Sequence, residues 1–235
     1  FQQWYDIDLC SSNETCMESA WLLTTIFHDR AKDVNTLREL LALEIGDWGN
    51  RITNEDRYIQ LISSFYDHRK TGNALHDWSA NSMENPALKA ILSEYSDRWA
   101  HGIKGSVLML RHICVNPEDV SPRDIASAFS IAVHDNILWD SLSSIGVFPM
   151  NMSLFPLPCL LLYLDAIQEW CRYPAIDTEV RLVNISVTLE SIAFEIAFDI
   201  GRAARIKLEE CERAQRCLLS RDLELGFSAK VRLNR

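Results

Sequence analysis

Apolar residues recur along the chain in two rhythms, and the change near residue 174 divides it into two parts. Residues 17–28 read as a buried helix ending at His28-Asp29. Residues 34–70 carry Leu37, Leu40, Leu41 and Ile45, then Ile59, Ile62 and Phe65, the mixed three- and four-residue spacing of one or two amphipathic helices. The polar stretch 70–85 reads as a loop or lid. Asn85-Pro86 then offers an N-cap with proline at the first helical position. A helix is expected over about 95–114. Ser121-Pro122-Arg123-Asp124 gives a second start signal, opening a helix over about 122–142. Ile125, Phe129, Ile131, Val133, Ile137 and Leu138 make that helix apolar on nearly every face, which places it centrally. Another buried helix is expected from Pro156 to about Trp170.

After Tyr173-Pro174 the period drops to two. Residues 180–198 alternate apolar and polar positions and predict two strands joined near Glu190-Ser191. A charged helix over about 202–219 and a last strand over 224–233 complete the pattern. The expected architecture is mostly α: a helical domain over 1–174 followed by a small α+β (β-β-α-β) appendage over 175–235.

Composition narrows the classes. Eight glycines and seven prolines in 235 residues leave little for linkers and favour helices. A formal charge of −10 with no basic run argues against a nucleic-acid polymer as partner, because phosphate backbones are held by clustered Lys and Arg. The seven cysteines form no Cys-x-x-Cys pair, and Cys114, Cys159 and Cys171 sit in apolar surroundings that suit reduced thiols. A reducing, cytoplasmic setting is therefore expected. The apolar stretch 154–164 is too short to span a bilayer, so no membrane is expected. The start at Phe1, without methionine, is read as a cut from something longer.

The physical anomaly is polar. Three apolar helices carry ionisable side chains where burial is expected: His134-Asp135 interrupts 126–139, Asp165 follows Cys-Leu-Leu-Leu-Tyr-Leu directly, and His28-Asp29 ends 21–27. A buried carboxylate without a partner costs several kcal/mol or takes up a proton, so such groups persist where they are paired or bind metal. Imidazole with carboxylate suits Mn, Fe, Zn or Mg better than the soft ions that thiolates prefer. On a helix, His101, Gly105, Leu108 and His112 share a face, and Gly102, Gly105 and Ser106 allow a close helix neighbour.

His101, His134-Asp135 and Asp165, in that order, resemble the H…HD…D pattern of the HD superfamily of metal-dependent phosphohydrolases. Upstream, Phe27-His28-Asp29-Arg30-Ala31-Lys32 resembles the HD-x-x-K element of the same superfamily, and Trp99-Ala100-His101-Gly102 and Leu164-Asp165-Ala166 resemble its later elements. The resemblance covers about residues 17–172. It implies an HD-type helical bundle in which His101, His134, Asp135 and Asp165 converge on one ion. It further implies that His28 and Asp29 serve a second ion, that Lys32 contacts substrate phosphate, and that Asp135 takes part in catalysis. The cofactor would be one or two divalent ions (Mn, Fe, Zn or Mg), and the substrate a small phosphate ester or phosphodiester, a nucleotide among the candidates. The chain also departs from the pattern: no histidine lies in residues 1–27, Ala31 replaces the usual glycine, and no lysine follows His134-Asp135. These departures sustain an alternative, a degenerate HD domain that binds metal, ligand or protein without turnover.

The remaining singular residues have plainer readings. His76-Asp77 reads as surface, His68 as an exposed helix residue, and His112 as packing at a helix end. Trp99, Trp139 and Trp170 read as core aromatics.

Overall fold

In the computed structural model the described residues are 15–29, 55–114, 116–152, 154–167, 180–187, 191–199, 209, 212–214, 216–219 and 224–232. They are mostly helical. The chain divides into two compact units, Phe1–Phe148 and Pro149–Arg235.

The first unit is built on α1 (Thr15–Phe27), α2 (Glu55–Lys70), α3 (Pro86–Asp97), α4 (His101–Ile113), α5 (Pro122–Val133) and α6 (Trp139–Ser144). Its ends follow from local chemistry. Glu55 and Asp56 open α2 and His68, Arg69 and Lys70 close it, each charge opposing the local end of the helix dipole. The Asn85 side chain accepts from the Leu88 N–H with Pro86 at the first position, and the Ser121 hydroxyl does the same for Asp124 with Pro122 behind it. Helix α5 is the centre of the unit: every residue from Asp124 to Val133 is buried, and α1, α2 and α4 all pack on it. Phe129 lies between the rings of Phe65 and Tyr66, with centroids 5.2 and 6.1 Å away.

Two expected helices end differently. The helix expected over 95–114 is two helices. α3 stops at Asp97, Trp99 takes a left-handed conformation (φ 61°), and the Ala100 N–H returns to the Tyr95 carbonyl while the Trp99 N–H returns to Ser96. This is a Schellman closure, and it sets α4 off in a new direction from His101. The helix expected over 122–142 breaks at His134-Asp135. Asp135 adopts extended backbone (ψ 119°) and caps a short 3-10 turn, Asn136–Leu138, before α6 begins. The apolar rhythm runs through this break because Leu138 and Trp139 remain buried on the far side.

Residues 71–85 are turns around a 3-10 segment, Leu75–Asp77. There His68 is half-buried rather than exposed, its Nε2 2.7 Å from the Ala74 carbonyl. His76 and Asp77 are exposed, and His112 is an exposed residue whose ring lies 6.1 Å from that of Phe27. Trp139 is buried, whereas Trp99 is 40% exposed and not part of the core. The helix expected over 34–45, and Trp170, lie outside the described residues.

The second unit contains α7 (Pro156–Ile167) and strands β1 (Met150–Asn151), β2 (Val180–Val187), β3 (Ser191–Asp199), β4 (Leu218–Leu219) and β5 (Glu224–Arg232). Strands β2 and β3 are antiparallel, with a register shift between Leu182 and Asn184, and β5 runs parallel to β3, giving the order β2-β3-β5. A parallel neighbour needs a crossover, and helical residues at 209, 212–214 and 216 lie within it. β1 pairs with β4 in parallel, and α7 packs on β1. These contacts tie α7 to the later segments, which is why the division precedes it. Among the described residues no helix is long and apolar enough to cross a membrane.

Candidate metal centre

Two His-Asp dyads end two helices by the same local device. His28 follows α1, and its Nδ1 lies 2.8 Å from the carbonyl of Thr25; His134 follows α5, and its Nδ1 lies 2.6 Å from the carbonyl of Ile131. Each imidazole thereby satisfies a carbonyl that the last helical turn leaves over. A carbonyl can only accept, so Nδ1 carries a proton in both rings, and in the neutral ring the Nε2 carries the lone pair.

The third histidine arrives from α4. His101 Nδ1 lies 2.7 Å from Asp135 Oδ2, and a carboxylate again fixes the proton on Nδ1. Its Nε2 stands 3.2 Å from the Nε2 of His134, the two rings nearly perpendicular at a centroid distance of 5.0 Å. Two lone pairs facing at this distance repel unless a proton or a cation lies between them. Two nitrogens each ~2.0–2.1 Å from one tetrahedral ion stand about 3.3–3.4 Å apart, close to the separation found. A carboxylate oxygen of Asp29 completes the group: it and the ligand nitrogens of His101 and His134 all lie within 4.8 Å of one another. His28 flanks them, its ring centroid 5.6 Å from that of His134 and its Nε2 3.6 Å from Asp29. These buried and half-buried groups could hold a metal ion.

Two glycines bring α4 this close. A β-carbon at Gly102 would stand 2.6 Å from the Ile131 carbonyl oxygen and 3.0 Å from the Asp135 β-carbon. One at Gly105 would stand 2.9 Å from the Phe27 carbonyl oxygen. The first turns of α4 therefore ride on the ends of both α5 and α1, and His101 meets both dyads.

Asp135 is fully occupied in holding His101. Its Oδ2 takes His101 Nδ1 and the Gly102 N–H at 3.4 Å, and its Oδ1 takes the Ile137 N–H at 3.3 Å. Burial pushes its carboxyl up, but the hydrogen bond and charge of His101, the Gly102 N–H and the charge of His134 outweigh that, leaving it below the ordinary carboxylate range. Asp135 thus stands as the carboxylate behind a histidine, which orients the ring and fixes its tautomer, and Asp29 is the carboxylate grouped with the His101 and His134 nitrogens. Asp135→Asn keeps the shape but only one of the two acceptor oxygens, so one of the Nδ1–H and Ile137 N–H bonds is lost, and metal binding should weaken by ~10–100-fold. Competition against a chelating dye measures this; an unchanged affinity would remove Asp135 from the site.

Lys104, one turn after His101, is held by Glu55 at 2.7 Å, and Glu55 also accepts from the Ser96 hydroxyl. Burial raises the Glu55 carboxyl, and Lys104 and Ser96 more than reverse it. Asp165 lies half-buried on α7 in the second unit. Lys32 lies outside the described residues. Of the expected residues, the first unit therefore brings together His28, Asp29, His101, His134 and Asp135. Sequence reasoning did not foresee the role of Glu55 and Lys104, whose partnership spans 49 residues and leaves no local signal.

No family model matches the chain, and no curated protein or solved structure matches it either.

Proposed function

We propose that the first unit is a divalent-metal centre of HD type that hydrolyses a small phosphate ester or phosphodiester. The observation that carries this reading is the facing pair of Nε2 atoms of His101 and His134, whose Nδ1 atoms are both taken by fixed acceptors, with a carboxylate oxygen of Asp29 within 4.8 Å of the ligand nitrogens of the two rings. A neutral polar core would arrange a donor against each acceptor. Here two imidazoles and a carboxylate, each able to ligate, converge, which suits a cation.

A bound divalent ion lowers the pKa of water towards neutrality and offsets charge on a phosphoryl oxygen. The protein residues supply the frame for that chemistry. His101 and His134 present nitrogen lone pairs, Asp29 supplies negative charge that favours a cation, and Asp135 keeps His101 in its tautomer. Lys32 is assigned to substrate phosphate on the resemblance alone. With a net charge of −10 the chain would otherwise repel such a substrate, so cations near the centre do that work. A binder without turnover is the second reading, favoured by Ala31 in place of the usual glycine and by the absence of a lysine after His134-Asp135.

The test is metal content and melting. The purified protein should carry a transition metal, and a strong chelator should lower its melting temperature by about 5–10 °C, the effect of removing a ligand held at roughly a hundred times its Kd. Restored manganese should then support hydrolysis of a generic diester such as bis-p-nitrophenyl phosphate. Metal without turnover would select the binder. A protein that holds no metal and whose melting ignores the chelator would overturn both.

A further inference from the structure

We infer that β5 is an interaction edge at which a second copy of the chain adds its own β5 in antiparallel fashion, joining two three-stranded sheets into one. Among the described residues the sheet runs β2-β3-β5, so β2 and β5 are its edges. An edge strand offers a row of N–H and C=O groups to another strand unless a bulge, a proline or repelling charges block it. β2 carries such a block in the register shift between Leu182 and Asn184. β5 does not. Its nine residues pair with β3 without a break, from Ser191↔Glu224 to Asp199↔Arg232, and no proline lies among them.

The order of residues in β5 selects the partner. A two-fold axis normal to the sheet sets two copies of the edge antiparallel and keeps each face with its like. Centred on Ser228, the middle residue, this pairing uses the whole strand. Glu224 then stands opposite the partner's Arg232 at both ends of the ribbon. Leu225 stands opposite the partner's Val231, and Phe227 opposite the partner's Ala229. Opposite charges meet and apolar positions meet, the cross-strand combinations that favour one pairing over another. β2 has no such match with itself, since Arg181 is its single charge. Two chains of net charge −10 also repel one another, which favours contact through a locally basic segment. β5 is one, with Lys230 and Arg232 against Glu224.

Sedimentation of the full chain from about 1 to 200 µM should show monomer passing to dimer, with a Kd of roughly 10–100 µM, because one strand edge covers far less area than a permanent interface. Glu224→Arg sets arginine against arginine at both ends and should weaken the dimer about tenfold. Within its own sheet that residue pairs with Ser191, so the dilute variant should melt as the parent does. Cross-linking reads the register. Directly opposed antiparallel residues stand ~4.5–5.5 Å apart at Cα, within the reach of a disulfide. Ser228→Cys should therefore link to its own copy under mild oxidation, the linked peptide being identified by mass against the native cysteines. Glu224→Cys should not, because the two copies of that residue lie eight steps of the strand apart, about 27 Å. A parent that stays monomeric at about 200 µM would overturn the inference. So would a dimer that Glu224→Arg leaves as tight as before, or one that Ser228→Cys does not link, since each places the contact elsewhere. Should Glu224→Arg melt lower than the parent, the Ser228→Cys link decides alone.

Discussion

Replacing His134 by alanine should abolish metal binding and hydrolysis together. The residue is 2% exposed, and its Nε2 faces that of His101. Changing a residue that only orients a ligand typically costs 10–100-fold in affinity; losing a ligand should cost at least the upper end, about 100-fold. The truncation also gives up the bond to the Ile131 carbonyl and leaves a cavity, together about 2–4 kcal/mol. A stability loss alone therefore does not speak for a metal. The deciding comparison is the chelator response. The parent should melt lower in chelator, and His134→Ala should melt at one temperature with or without it, because there is no bound ion to remove. If the variant kept metal at the parent's affinity, the paired Nε2 atoms would not be the ligands and the centre would have to be placed elsewhere.

Much of this centre could be read from the sequence, because its parts are local. Buried charge inside the apolar runs marked His28-Asp29 and His134-Asp135. The start signals at Asn85-Pro86 and Ser121-Pro122 are backbone chemistry confined to four residues, and both caps form as expected. The glycines at 102 and 105 announced a close helix approach, and the space at both is indeed closed to a β-carbon.

What the sequence hid has a physical reason in each case. The stop before His101 carries no glycine, since Trp99 takes the left-handed position. The break at His134-Asp135 is masked because burial continues into Leu138 and Trp139. Asp135-Asn136 is a turn-forming pair that could have signalled the break, had the apolar period not run on. Which carboxylate holds which ring is a three-dimensional matter. Asp135 is adjacent to His134 in sequence but pairs with His101, which lies 34 residues earlier, and Asp29 joins the two rings from the end of α1. Adjacency in a motif does not say which ring a carboxylate will face.

Gly102→Ala should be the most damaging single-methyl change in the first unit. The new β-carbon would lie 2.6 Å from the Ile131 carbonyl oxygen and 3.2 Å from that of Ala132, both backbone atoms of the central helix. Neither can swing aside as a side-chain end could, so α4 must move out. Overpacking of this kind costs ~1–3 kcal/mol when side chains can adjust, and a clash with backbone belongs at or above the upper end. A loss of about 3 kcal/mol lowers melting by roughly 6–12 °C in a chain of this size. The same displacement pulls His101 from Asp135 and from His134, so metal affinity should fall with stability. Gly105→Ala meets Phe27 instead, at 2.9 Å, and should act through the other dyad, disturbing His28 and Asp29 more than His101. Gly72→Ala is the control. Its φ of 81° makes alanine strained, at about 1 kcal/mol, but a β-carbon there meets nothing within 4 Å. It should lower melting slightly and leave metal affinity untouched. Melting temperature and metal affinity measured on the three variants separate these cases. If Gly102→Ala bound metal as tightly as Gly72→Ala, the close approach of α4 to α5 would not be what assembles the centre.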